Sequence, residues 1–194
     1  MVSLALTQHV NHWHIHRCAD VIRSGGVIAY PTEGVWGVGC DPWHDEAVEY
    51  LLSLKRRQPA KGLILISGDA AHFEPLLATV SPDQRAQVVM PRARATTWLV
   101  PDPTQYFPDY LRGKHDTVAL RVSSHPLVAA LTARLGYPII STSANLSGHP
   151  AAQTALRVRQ YFGDRLDALL PGQTAGDARP SQIIDLRSGT IIRS

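Results

Sequence analysis

Short β-branched or apolar runs alternate along this chain with segments of helical period, and that alternation limits the architectures open to it. Val27 to Tyr30, Leu63 to Ile66, Thr96 to Val100, Val118 to Val122 and the pair Ile139-Ile140 read as buried strands. Between them, Ile15, Cys18, Ala19 and Ile22 recur at helical spacing, as do Ala47, Leu51 and Leu54, and then Leu127, Leu131 and Leu135. Ser81-Pro82-Asp83-Gln84 is a capping-box start, and Thr154 to Phe162 is a further helix stopped by Gly163. Ala168 to Leu170, Gln182 to Leu186 and Thr190 to Ile192 read as short strands, with Ser188-Gly189 as the turn of a terminal hairpin. The expectation is an α/β fold in which the hairpin makes the sheet mixed. With 194 residues, and no repeat or linker in sight, residues 1–194 are expected to form one domain.

Composition narrows the class. A hydrophobic content of 44% with 18% charged residues fits a globular chain. The net charge of +3 suits a phosphate-bearing ligand or RNA. No apolar run reaches membrane-span length, and Met1 to Leu6 lacks the basic and hydrophobic regions of a signal peptide. Cys18 and Cys40 form no close pair, so they are expected to be reduced, in a cytoplasmic protein. His9, His12, His14 and His16 crowd the N-terminus; His12 and His16 share a helix face but find no completing ligand nearby, and read as solvated.

Three stretches can carry chemistry. Pro138 to Pro150 opens as a strand and turns into Ser141, Thr142, Ser143, Asn145 and Ser147, closed by Gly148. Hydroxyls and an amide at a strand's carboxyl end sit where α/β proteins bind ligands, though the same residues also serve as turn and cap formers. Lys55, Arg56, Arg57 and Lys61 make a cationic turn leading into a buried strand, a candidate phosphate clamp or else a solvated helix end. Thr117 and Arg121 fall on one face of a strand, and a buried Arg121 needs an anion: either a ligand or an internal carboxylate such as Asp185. Glu33 is an isolated carboxylate suited to base or metal work, or to fixing its loop. Gly37-Val38-Gly39 lacks the third glycine of a dinucleotide fingerprint. No P-loop, nucleophile elbow or zinc-protease motif is present.

Four stretches together closely resemble the YrdC family, the threonylcarbamoyl-AMP synthases of TsaC type. They are Tyr30 to Pro42; Leu54 to Arg57 continuing to Lys61 to Ile64; Ala119 to Val122 with His125 to Val128; and Ser141 to Gly148. The likeness runs from about residue 12 to the end and is to the short bacterial form without an extra C-terminal domain. It implies a twisted sheet lining a basic concave groove. It also implies a reaction in which L-threonine, bicarbonate and ATP, with Mg2+, give L-threonylcarbamoyladenylate and pyrophosphate. The product would pass to tRNA-modification proteins that act on adenosine 37. By resemblance, Lys55, Arg57, Ser143 and Asn145 form the catalytic tetrad around the ATP phosphates. Lys61, Thr117, Ser141 and Arg193 match other ATP-binding positions. Thr32, Gly34, Arg121 and Ser181 match the threonine site, with Arg121 on the carboxylate and Gly34 acting through its backbone. No metal-ligand set is implied.

The chain departs from the family at Arg92-Ala93-Arg94-Ala95, where relatives usually carry Trp-Pro-Gly-Pro, at Gln58, and in the glycine loop Gly172 to Gly176. These changes predict a retained fold and leave room for reduced activity. Two other readings compete. One is an RNA-binding protein that uses the groove without adenylation; the sparse aromatics, none interleaved with the cations, speak against it. The other is a carbamoyl-adenylate enzyme of the hydrogenase-maturation type, which would carry zinc-finger cysteines that this chain lacks.

Overall fold

A computed structural model describes residues 11–58, 62–176 and 179–194. Among the described residues, nine strands form a sheet in the order β7-β1-β2-β6-β3-β5-β4-β8-β9. They are β1 (Ile28–Pro31), β2 (Trp36–Gly39), β3 (Ile64–Ser67), β4 (Thr96–Pro101), β5 (Thr117–Val122), β6 (Ile139–Ser143), β7 (Ala168–Leu169), β8 (Gln182–Asp185) and β9 (Ile191–Arg193). The helices are α1 (His12–Arg23), α2 (Asp45–Lys55), α3 (Glu74–Leu77), α4 (Pro82–Val89), α5 (Asp109–Arg112), α6 (Pro126–Leu135) and α7 (Ala155–Phe162). The sheet is mixed: β1/β7, β3/β5 and β4/β8 are parallel, and the remaining pairs are antiparallel.

The short helices α3 and α5 have no counterpart in the periodicity, because one turn each is too little to show a pattern. The capping box at Ser81 forms in both directions with Gln84. The terminal hairpin is real, but its turn spans Asp185 to Thr190 instead of two residues. Asp185 therefore does not pair with Arg121. Its carboxylate accepts from the backbone N–H groups of Arg187 and Ser188 and shapes that turn.

The two-residue period of the strands sorts side chains to opposite faces. Ile28 and Tyr30, Ile66 and Ile139 face one way and pack under Ile15 and Ile22 of α1 and Leu127 and Leu131 of α6. Ala29, Leu65, Leu120 and Ile140 face the other way into the larger core with Leu51 of α2 and Trp98. Cys18 and Cys40 are free and buried; burial pushes their thiols up to about 11 and about 12, which keeps them protonated and unreactive.

β6 joins the two halves of the sheet. Its first residues pair with β3 (Ile64 opposite Ser141), and its last pair with β2 (Gly37 opposite Ser143). The changeover needs Gly39, because a Cβ there would lie 1.8 Å from the Ile140 carbonyl oxygen. Gly39→Ala must therefore open the β2–β6 contact. The expected cost is about 3 kcal/mol, a fall in Tm of roughly 6–12 °C, read by thermal unfolding.

Candidate functional site

The end of α2 is tied to the loop after β6 by one ammonium group. Lys55 is the last residue of α2, and its Nζ donates to the carbonyl oxygen of Ser143, to the carbonyl oxygen of Asn145 at 2.9 Å and to Asn145 Oδ1 at 3.1 Å. Three acceptors match the three N–H bonds of an ammonium. Burial, and after it the Arg57 charge, push its pKa down to about 7, while the surrounding oxygens favour the proton. The loop closes on itself as well. Ser143 Oγ donates to Asn145 Oδ1 at 2.7 Å, and Asn145 Nδ2 donates to the carbonyl oxygens of Leu146 and His149.

Arg56 then takes a left-handed conformation (φ 51°), which ends the helix and sends its own side chain to solvent. The turn aims Arg57 inward, where Nη2 donates to the Gly62 carbonyl oxygen at 3.0 Å and Nε has no hydrogen-bond partner. The cationic turn is thus divided in its roles. Lys55 braces the loop, Arg56 faces water and Arg57 reaches the cavity; Lys61 lies outside the described residues.

The cavity, about 370 Å³, occupies the sheet face that α1 and α6 cover only in part. Its floor is Ile64, Leu99, Ala119 and Ile183, one from each of β3, β4, β5 and β8. Thr117 and Arg121 flank Ala119 at the expected two-residue spacing. Ser141 and Ser143 of β6, Thr32, Ser181 and Arg193 complete the wall. Arg57, Ser143, Ser141, Thr117, Arg193, Thr32, Arg121 and Ser181 therefore share one cavity. Lys55, Asn145 and Gly34 do not line it: the first two are turned to each other, and Gly34 is buried in the bend between Thr32 and Val35. Arg112, the last residue of the one-turn helix α5, and His115 in the loop after it also line the cavity, and neither stretch carries a periodic signal in the sequence. Arg112 is neutralised there by Asp102 and Asp109.

Charge in this cavity is unbalanced. Arg121 meets Glu33, with Nη2 to Oε2 at 3.4 Å. Glu33 Oε1 accepts from Ser123 Oγ at 2.7 Å and from the Ser124 backbone N–H at 3.0 Å. Glu33 therefore fixes its loop and orients Arg121. Burial works to raise its carboxyl pKa, but the Arg121 charge and the Ser123 bond together hold it below the usual carboxylate range. Arg121 Nε and Glu33 Oε2 make no hydrogen bond, so the pair leaves guanidinium donors free for a ligand carboxylate. Arg193 donates to the Ser181 carbonyl oxygen at 2.7 and 3.2 Å. Burial, then the nearby guanidinium charges, lower the pKa values of Arg57 and Arg193. A cavity holding this much uncompensated positive charge is built for a polyanion.

A family model, Sua5_yciO_yrdC, described as "Telomere recombination", matches residues 20–194. The chain belongs to the Sua5/YciO/YrdC family. Among curated members of the family, it is 49% identical over 184 residues to "Threonylcarbamoyl-AMP synthase" of Stutzerimonas stutzeri, covering 95% of this chain and 98% of that one. It is 47% identical over 181 residues to the protein of the same name from Hahella chejuensis, covering 93% and 98%. Among solved structures, P. abyssi Sua5 complexed with L-threonine superposes with a TM-score of 0.85 at 27% identity. That match covers 95% of this chain and 54% of the Sua5 chain, so this chain spans about half of that protein. The single mixed sheet with flanking helices is the architecture of the Sua5/YciO/YrdC family.

Glu33→Gln tests the electrostatics. With its folded pKa below the usual value of 4.5, Glu33 contributes stability that is fully present above that pH and is lost as pH falls through the folded pKa. The variant should show a shallower loss of Tm between pH 5 and about pH 3 than the parent protein, followed by calorimetry.

Proposed function

We propose that this protein is an L-threonylcarbamoyladenylate synthase, converting L-threonine, bicarbonate and ATP to threonylcarbamoyl-AMP and pyrophosphate for tRNA modification. The observation that carries the reading is the meeting of the Arg57 turn and the Ser143 loop across one cation-rich cavity. It occurs in a chain nearly half identical, over almost its whole length, to proteins named for that activity.

The roles follow from position. Arg121, oriented by Glu33, takes the threonine carboxylate, with Ser181 and Thr32 beside it. Arg57, Arg193, Ser141 and Ser143 face the phosphates, and Thr117 contacts the nucleotide further along the same face. Bicarbonate yields CO2 with loss of hydroxide, and the threonine amine adds to CO2 and gives up a proton, so that an N-carboxylate forms with water as the by-product. One of the carboxylate oxygens attacks the α-phosphorus of ATP; the new P–O bond forms as the bond to pyrophosphate breaks, and the electron pair leaves with pyrophosphate. This step asks for alignment and neutralisation of phosphate charge more than for covalent help. Lys55 contributes indirectly, by fixing the loop that carries Ser143 and Asn145. An apolar floor and a partly enclosed cavity limit access of water to a mixed anhydride that hydrolyses easily.

Magnesium belongs with the nucleotide. Among the described residues no three carboxylate, histidine or cysteine side chains converge, and Glu33 is committed to Arg121, so phosphate oxygens and water would supply its ligands. The product would pass to proteins that modify tRNA. No helix among the described residues is long and apolar enough to cross a membrane. The RNA-binding reading is not favoured, because the cations converge on one pocket instead of tracking a strand across the surface.

Pyrophosphate release from ATP and bicarbonate should depend on L-threonine; release that ignores threonine overturns this reading. Arg121→Ala should raise KM for threonine by roughly 10- to 100-fold, the loss of one charge-assisted contact. Arg57→Ala should reduce kcat/KM for ATP by a similar factor with Tm within a few degrees.

A further inference from the structure

Arg57 and Arg193 face the cavity with no carboxylate partner, and a third unmatched guanidinium stands at its edge. Arg94 lies two residues before Thr96, which pairs in register with Gln182 of β8. The Ala95 carbonyl oxygen accepts the Gln182 N–H at 3.0 Å. The parallel register then sets Arg94 beside Pro180 and Ser181, both part of the cavity wall. Arg193 is fastened to that same Ser181. Arg94 is also close enough to Arg193 to help lower its pKa, after burial and Arg121.

Arg94 has no evident structural employment. Its Nε is buried without a hydrogen-bond partner, and among the described residues no carboxylate forms an ion pair with it. Its loop neighbour Arg92 differs, since that guanidinium sits 4.7 Å from the centre of the Trp98 ring. A half-buried guanidinium with an unpaired donor, placed near another guanidinium, costs free energy until an anion arrives.

We propose that Arg94 is an additional anion contact of this cavity, donating to a phosphate oxygen of the bound nucleotide or of the pyrophosphate it releases. The proposal rests on the reading of the cavity as a nucleotide site. Phosphate is favoured over the threonine carboxylate by charge. Arg121 is already neutralised by Glu33 and offers a further ligand only its remaining donors, whereas Arg57, Arg94 and Arg193 have no carboxylate and together match a polyphosphate. Arg94 would raise affinity for ATP and slow the departure of pyrophosphate.

The test is calorimetric titration of inorganic pyrophosphate into the parent protein and into Arg94→Gln, alongside steady-state kinetics. The expected result is a pyrophosphate Kd about tenfold weaker and a KM for ATP about tenfold higher in the variant. KM for threonine and kcat should stay within about twofold, and Tm should be unchanged. Arg94→Lys keeps the charge without the planar fork and should fall between the two; it also stands in if Arg94→Gln folds poorly. Unchanged pyrophosphate Kd and ATP KM would overturn the proposal, as would an effect confined to threonine KM. Because pyrophosphate binding is read without turnover, a parent protein that binds it through Arg94 yet shows no threonine-dependent release would sink the assigned reaction and leave this contact standing.

Discussion

One buried ammonium group holds the two halves of the site together. Lys55 leaves the end of α2 and meets three oxygens of the loop after β6. The Ser147 N–H returns a bond to the Lys55 carbonyl oxygen at 3.1 Å, so the contact is made in both directions. A charge this buried is costly unless every donor is used. Here all three are, and the cost becomes specificity: only one placement of the Ser143 loop satisfies the lysine. Arg57, two residues on, is thereby set against Ser143 across the cavity. Lys55 and Asn145 thus form the frame, and Arg57 and Ser143 the face turned to the cavity.

The sheet supplies the other half of the geometry. β6 changes partners midway, from β3 to β2, which brings hydroxyl-bearing residues to the seam between the two parts of the sheet. Beyond the seam, β4, β8 and β9 place Thr97, Ile183 and Arg193 in one cross-strand row, and Arg121 follows Leu120, which β5 sets opposite Trp98 of β4. Arg121 and Arg193 come onto one wall through this register, although they are far apart in sequence. Glu33 comes from the other part of the sheet to meet Arg121, so the ion pair also spans the seam.

Much of this was legible in the sequence because it rests on local period and local chemistry. The helix α2, the strands other than β2, the capping box at Ser81 and the shared face of Thr117 and Arg121 all follow from spacing within a few residues. The partners of the charged groups did not follow. The sequence offers Asp185 as an internal partner for Arg121 and gives no sign that Glu33 takes that place; the terminal hairpin occupies Asp185, and the β1–β2 turn delivers Glu33. The split roles of Lys55, Arg56 and Arg57 depend on a single left-handed residue, and no pattern in the sequence announces it at an arginine.

The resemblance drawn from the sequence puts two prolines at the stretch matching Arg92 to Ala95, and prolines there would limit the unfolded chain as much as the folded one. In this chain the position is held by contacts instead. Thr96 Oγ1 donates to the Arg94 carbonyl oxygen at 3.0 Å, Gln182 Nε2 reaches Thr96 Oγ1 at 2.8 Å, and Arg92 covers Trp98. These bonds anchor the entry of β4 against β8, so the strand carrying Thr97 and Leu99 keeps its register. What the exchange alters is charge: two guanidinium groups now stand where a turn had none. One is absorbed by an aromatic ring. The other is left at the edge of a cavity that already carries an excess of positive charge. The departure is therefore better understood as a change in how strongly the site attracts anions than as damage to its scaffold.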